Sequence, residues 1–189
     1  MIAVVKIGPV TAPGMVSAAI GHDADMIGFS FVDGDTARLS PAKAATLVTA
    51  VPSGIDRVGV FRDADDEAIG AVLREAPLDL LQFEGSETPE RLRQVRDRFG
   101  LPLIRTLASD EAAAPFEAVC DWLALDARPG FRSRRPWMLV ATLDAPDVAG
   151  AASESGAAAL DLRLKPDADT ASAARAIRAL LQAARPAME

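Results

Sequence analysis

Eight short apolar runs recur along the chain, at residues 2–7, 26–31, 57–61, 78–83, 102–106, 122–126, 137–141 and 158–162. Turn-forming residues bound them, and they mostly lack the polar alternation of a sheet with one wet face. Strands buried on both faces read this way. Between the runs lie longer stretches with apolar residues at helical spacing. Ser40, Pro41 and Ala42 open one of these with an N-cap serine and a proline at the first helical position, leading into 42–51. The stretch 65–76 sets Ile69, Val72 and Leu73 on one face and acidic residues in its first turn. Thr88-Pro89-Glu90-Arg91 starts another, which Gly100 ends, and Asp144-Ala145-Pro146-Asp147 opens a further one. The stretch 170–184 carries Ala173, Ile177, Leu180 and Leu181 on one side and arginines on the other.

Eight strands alternating with helices predict an α/β fold, a compact (β/α)8 TIM barrel formed by residues 1–189 as one domain. An open doubly wound sheet is the alternative, because periodicity does not report closure. Only ten residues separate Asp126 from Trp137. A parallel crossover usually takes about a dozen or more, so the sixth helix is expected to be lost or shortened.

Composition narrows the function classes. A net charge of -7 argues against a general nucleic-acid binder. A single Cys excludes an internal disulfide, and no Cys/His cluster has zinc-ligand spacing. No run approaches the roughly 20 apolar residues of a membrane span, and Lys6 and Pro9 interrupt the N-terminal run, unlike a secretory signal. A cytoplasmic protein with no metal and no cofactor is expected.

In a barrel of this kind, chemistry gathers at the C-terminal ends of the strands and in the loops that follow. That rule selects Gly8, the 33–38 loop, Asp63, Gln82, Glu84, Arg105, Asp126, the loop leading to Arg135, Thr142 and residues 163–165. His22 and Cys120 fall near the opposite end, and Trp122 and Trp137 begin strands, so these four read as surface or packing residues.

Several segments carry a resemblance in the right order. Val5-Lys6-Ile7-Gly8-Pro9-Val10-Thr11 is similar to a first strand and loop reading Lys-Ile-Cys-Gly-Leu-Thr. Asp25-Met26-Ile27-Gly28-Phe29-Ser30-Phe31 resembles Ala-Asp-x-Ile-Gly-Phe-x-Phe, and Arg38-Leu39-Ser40-Pro41 resembles Pro-Arg-Tyr-Val-Ser-Pro. Val58-Gly59-Val60-Phe61 resembles the Gly-Val-Phe of strand three. Leu81-Gln82-Phe83-Glu84-Gly85-Ser86-Glu87 is similar to Val-Gln-Leu-His-Gly-Asp-Glu, and Ala124-Leu125-Asp126-Ala127 to Leu-Leu-Asp-Ala. All these patterns belong to the phosphoribosylanthranilate isomerase family of tryptophan biosynthesis.

The resemblance implies an Amadori rearrangement of N-(5′-phosphoribosyl)anthranilate. It makes Asp126 the general acid and Arg38 the partner of the anthranilate carboxylate, with Gln82 as a further substrate contact. The family's base is the Cys aligned with Gly8, which has no side chain; Glu84, aligned with a family His, is the substitute that strand order offers. The family's glycine-rich phosphate loops are also replaced here, by Arg128-Pro129-Gly130-Phe131-Arg132-Ser133-Arg134-Arg135 after strand six, Ala141-Thr142-Leu143-Asp144 after strand seven and Arg163-Leu164-Lys165-Pro166 after strand eight. Weak or absent turnover follows. The alternative is an inactive or repurposed barrel that binds a small anion, such as a phosphosugar, or a protein partner through Arg128, Arg132, Arg134 and Arg135. A monomer or homodimer is expected.

Overall fold

The structure is a computed structural model that describes residues 4–108, 111–126, 131–142, 147–148, 150, 154–164 and 169–184. Its strands are β1 (Val4–Gly8), β2 (Met26–Ser30), β3 (Asp56–Phe61), β4 (Leu80–Phe83), β5 (Leu103–Thr106), β6 (Trp122–Leu125), β7 (Trp137–Ala141) and β8 (Ala159–Arg163). The helices are α1 (Pro13–Gly21), α2 (Pro41–Thr49), α3 (Asp66–Glu75), α4 (Pro89–Phe99), α5 (Ala114–Glu117) and α6 (Thr170–Ala184). Each of the eight apolar runs contributes one of these strands. They pair in parallel in chain order, and β1 pairs with both β2 and β8, so the sheet closes. Lys6 lies opposite Met26 on one side and Asp161 on the other. Closure replaces the open-sheet alternative with a barrel.

The strands read as continuous apolar runs because each of their faces meets a different core. One set of alternate residues fills the bore, including Met26, Val58, Leu80, Ile104, Ala124, Met138 and Ala159. The other set, including Val5, Ile7, Ile27, Phe29, Leu81 and Leu103, packs outward beneath the helices. The helices start where capping chemistry places them. Ser40 Oγ accepts from the Lys43 amide at 3.3 Å, Asp65 Oδ1 from Ala68 at 2.8 Å and Thr88 Oγ1 from Arg91 at 3.2 Å. Each cap contributes about 1 kcal/mol. Gly100 ends α4 in the left-handed region at φ 69°. There a side chain would be strained.

Between β6 and β7, residues 131–136 contain no helix. The Phe131 ring packs edge-on against Trp137 at 5.3 Å, so a single aromatic covers part of the sheet where a helix would lie. Residues 127–130, and the helix start expected at 144–146, lie outside the described residues. Among the described residues, no helix is long and apolar enough to cross a membrane.

Candidate active site at the barrel mouth

Strand alternation decides what faces the mouth. Two residues beyond the apolar layer of the bore, most inward positions become polar or empty: Lys6 and Gly8 on β1, Gly28 and Ser30 on β2, Gln82 on β4, Thr106 on β5 and Asp161 and Arg163 on β8, while Val60 on β3 and Val140 on β7 stay apolar. Glu84 follows β4 on the same parity, and Asp126 follows β6. The bore thus has an apolar floor and a charged mouth.

These side chains form a connected network. Lys6 Nζ donates to Asp161 Oδ1 at 2.5 Å, with both groups buried. Gln82 reaches across the bore from β4 to β8, and its Nε2 donates to Asp161 Oδ2 at 3.1 Å and to Thr106 Oγ1 at 3.0 Å. Its Oε1 is buried without a partner among the described residues. Above this layer Arg163 Nη2 holds Glu84 Oε1, while Arg62 Nη2 stands 3.7 Å from Glu84 Oε2. Burial works to raise the Asp161 carboxyl. The opposing charges of Lys6 and Arg163 and the hydrogen bonds from Lys6 and Gln82 outweigh it and hold the group below the ordinary carboxylate range. Asp161 is therefore a fixed anion.

Gly8 opens onto a small cavity of about 50 Å³ lined with Lys6, Gly28, Ser30, Asp35, Glu84 and Arg163, among others. A Cβ at residue 8 would lie 3.0 Å from the Gly28 carbonyl oxygen and 3.1 Å from its Cα, so the strand is packed for a glycine. A Cβ on Gly28 would in turn meet Lys6 Nζ at 3.2 Å. On the loop after β2, Ser30 Oγ donates to Asp35 Oδ2 at 2.6 Å, and the Ala37 amide donates to Oδ1 at 2.9 Å.

A second cleft, of about 170 Å³, opens beside the first across Pro9, which lines both. Its walls include Met15, Leu164, Arg38 and Lys43. Arg38 is half exposed and reaches Asp33 at 3.0 Å. Such an exposed pair contributes little stability, so the guanidinium is free to exchange partners.

Other residues selected from the sequence land elsewhere. Arg105 points outward from β5, not into the bore. Its guanidinium is buried between Glu87 at 2.9 Å and Glu111 at 2.9 Å, 4.9 Å above the Phe116 ring. Glu87 also accepts from the Asp63 and Gly85 amides, and Asp63 accepts from Ser86. This cluster fastens together the loops after β3, β4 and β5. The expected arginine cluster at the mouth does not assemble from Arg134 and Arg135. The Arg134 amide donates to Glu117 Oε1 at 3.0 Å, and Arg135 Nε donates to the Glu117 carbonyl at 2.8 Å. Both arginines immediately precede β7, so they sit at the other end of the barrel. Arg132 is exposed and donates to the Phe131 carbonyl, and Thr142 is exposed after β7. Arg128 and Lys165 lie outside the described residues. Cys120 is buried, and burial pushes its thiol up to about 12.

Strand-end reasoning passed over Lys6 and Asp161 because each falls inside an apolar run. The available signal was a charge at an inward position of a buried strand, which demands a partner. Among the described residues, no group of three His, Cys, Asp or Glu could hold a metal ion.

Comparison with known proteins agrees with this geometry. The family model of N-(5′-phosphoribosyl)anthranilate (PRA) isomerase matches residues 5–162. An N-(5′-phosphoribosyl)anthranilate isomerase of Rhodospirillum rubrum is 39% identical over 187 residues, spanning 84% of this chain and 86% of the relative. One of Paramagnetospirillum magneticum is 37% identical over 183 residues, spanning 84% and 85%. Among solved structures, the phosphoribosyl anthranilate isomerase of Thermus thermophilus superposes with a TM-score of 0.79 at 26% identity, covering 96% of this chain and 98% of that one. A monomeric form of the dimeric Thermotoga maritima enzyme shares the fold, with a TM-score of 0.84 at 23% identity over 99% and 100%. With a closed eight-stranded barrel and a family match over most of its length, this chain belongs to the N-(5′-phosphoribosyl)anthranilate isomerase family.

Proposed function

We propose that the protein is a slow phosphoribosylanthranilate isomerase, converting N-(5′-phosphoribosyl)anthranilate to the corresponding 1-deoxyribulose 5-phosphate. The observation that carries this reading is the family match on a closed barrel whose mouth is lined with groups able to give and take protons. In this reading the anthranilate ring rests in the cleft between Met15 and Leu164. Its carboxylate exchanges Asp33 for Arg38, with Lys43 alongside. The ribose lies over the adjoining mouth. Asp126, at the end of β6, protonates the ring oxygen and opens the sugar to a Schiff base. A carboxylate at the mouth then removes the C2′ proton, and the resulting enolamine tautomerises to the ketone. Acid and base suffice for both steps, so the reading calls for no cofactor. Each positioned group contributes roughly 10²–10⁴-fold, and the loss of the thiolate at residue 8 accounts for the low rate. The reading extends to a cytoplasmic monomer or homodimer.

The test is loss of the substrate's anthranilate fluorescence with purified protein, with Asp126→Asn as the control. Slow turnover that Asp126→Asn abolishes is expected. Folded wild-type protein with no turnover above that control would remove the isomerase reading. Anion binding through the 128–135 loop has less support, because Arg134 and Arg135 are engaged with Glu117.

A further inference from the structure

We propose that Asp35 is the general base that stands in for the missing thiol. The inference rests on the isomerase reading and adds a catalytic residue to it. Asp35, Glu84 and Asp161 are the carboxylates gathered in the network and cavity around the mouth, and they differ in what holds them. Asp161 is fully buried and paired with Lys6. Glu84 is held by Arg163 through one oxygen and faces Arg62 with the other. A carboxylate whose oxygens are occupied by cations has fewer lone pairs to offer an incoming proton. Asp35 pairs with no cation among the described residues. Among the described residues its oxygens accept from Ser30 Oγ and from the Ala37 amide, one bond to each, which leaves lone pairs on both.

Its position matches the vacancy on β1. Asp35 and Gly8 line the same cavity. A side chain at residue 8 would start toward Gly28 on β2, and Ser30, the next inward residue of that strand, is the one that holds Asp35. The carboxylate therefore comes over the end of β2 to the side of the mouth where the thiolate would have stood. The loop presents it in a fixed geometry. The Asp35 amide donates to the Val32 carbonyl at 3.2 Å, the Arg38 amide donates to the Asp35 carbonyl at 3.1 Å, and Gly34 supplies the left-handed turn at φ 80°.

The step balances. The C2′–H pair becomes the C1′–C2′ double bond, the π electrons of the protonated imine pass to nitrogen, and the proton goes to Asp35. Tautomerisation of the enolamine then returns a proton to C1′ as the C2′ hydroxyl gives one up, so nothing is oxidised overall and no co-reactant enters.

The experiment measures turnover of wild type, Asp35→Asn, Asp35→Ala and Glu84→Gln, with thermal melts as the folding control. Asn keeps an acceptor for the Ala37 amide, so Asp35→Asn is expected to melt near wild type. Its kcat is expected to fall roughly 100-fold or more, with KM little changed. Added formate should restore part of the rate to Asp35→Ala and none to wild type, a response that a merely structural aspartate would not give. Wild-type kcat in folded Asp35→Asn, or loss confined to Glu84→Gln, would overturn the assignment while leaving the isomerase reading intact. Should Asp35→Asn fail to fold, an absence of formate rescue in folded Asp35→Ala would overturn it equally. Wild type inactive beside Asp126→Asn would overturn both.

Discussion

The buried Lys6–Asp161 pair makes a quantitative test of how the mouth is held. Its nitrogen and oxygen are 2.5 Å apart, with side-chain exposures of 4% and 0%. Asp161→Asn leaves the Lys6 ammonium in the bore without its counter-charge. Removing one member of a buried pair costs about 3–5 kcal/mol. For a domain of this size, that corresponds to a fall of about 6–20 °C in Tm. Lys6→Met strands the anion instead, although Arg163 and Gln82 still face it. The double variant Lys6→Met/Asp161→Asn removes both charges and should recover much of the loss, so the two single costs should not add. Urea unfolding of the four proteins supplies the cycle. Costs that add within about 0.5 kcal/mol would refute the coupling. The pH dependence has a definite sign. Asp161 titrates lower in the folded protein than in the unfolded chain, so its contribution is complete above the unfolded value near 4. It is lost as pH falls through the lower folded value. The gap between wild type and Asp161→Asn should therefore be constant from pH 7 to 5 and shrink in stronger acid. A gap that widens in acid would contradict the assignment.

Restoring the family's thiol should not by itself restore an active enzyme. In Gly8→Cys the new Cβ meets the Gly28 backbone at 3.0–3.1 Å. Overpacking of this kind costs about 1–3 kcal/mol, so the variant should melt lower and gain little turnover; a fast enzyme with unchanged Tm would refute the packing argument. Cys120 should resist thiol reagents at pH 8 in the folded protein and react in urea, because burial pushes its thiol up to about 12; rapid labelling of the native protein would contradict its placement. Arg134→Ala keeps its backbone contact with Glu117 and should leave kcat and KM within about twofold. A larger fall would return the arginine to the functional face.

The fold was legible because a parallel barrel writes itself as repeated units. Runs such as 57–61 and 137–141 are apolar on both faces, and Ser40-Pro41 and Thr88-Pro89 announce helices that the structure caps as expected. Closure was not legible, since no local pattern distinguishes the pairing of β1 with β8 from two free edges. The site was readable in part. Gln82 and Glu84 face the mouth because they continue the inward parity of Leu80. The strand-end rule alone misjudged Arg105, because it ignores this parity: one step from the inward Ile104 turns the side chain outward toward Glu87 and Glu111. Arg134 and Arg135 follow β6 in sequence but belong spatially to the start of β7, because without a described helix the connection has little chain to spend before it reaches the far end. Lys6 and Asp161 were masked by the apolar residues on either side of them.

The tie between Arg105, Glu87 and Asp63 divides the upper face for anyone who wishes to redesign it. Glu87 ties the loops after β3 and β4 to Arg105 on β5, and Arg105 passes the tie to Glu111 in the next loop, so a library that varies any of the three loops disturbs the others. Gly85 adds to the constraint, since a Cβ there would meet Asp63 Oδ1 at 2.5 Å. Diversity introduced on that half should mostly yield misassembled clones. The connections after β6 and β7 supply none of the named members of this clamp, which makes them the sensible place to select for new substrates.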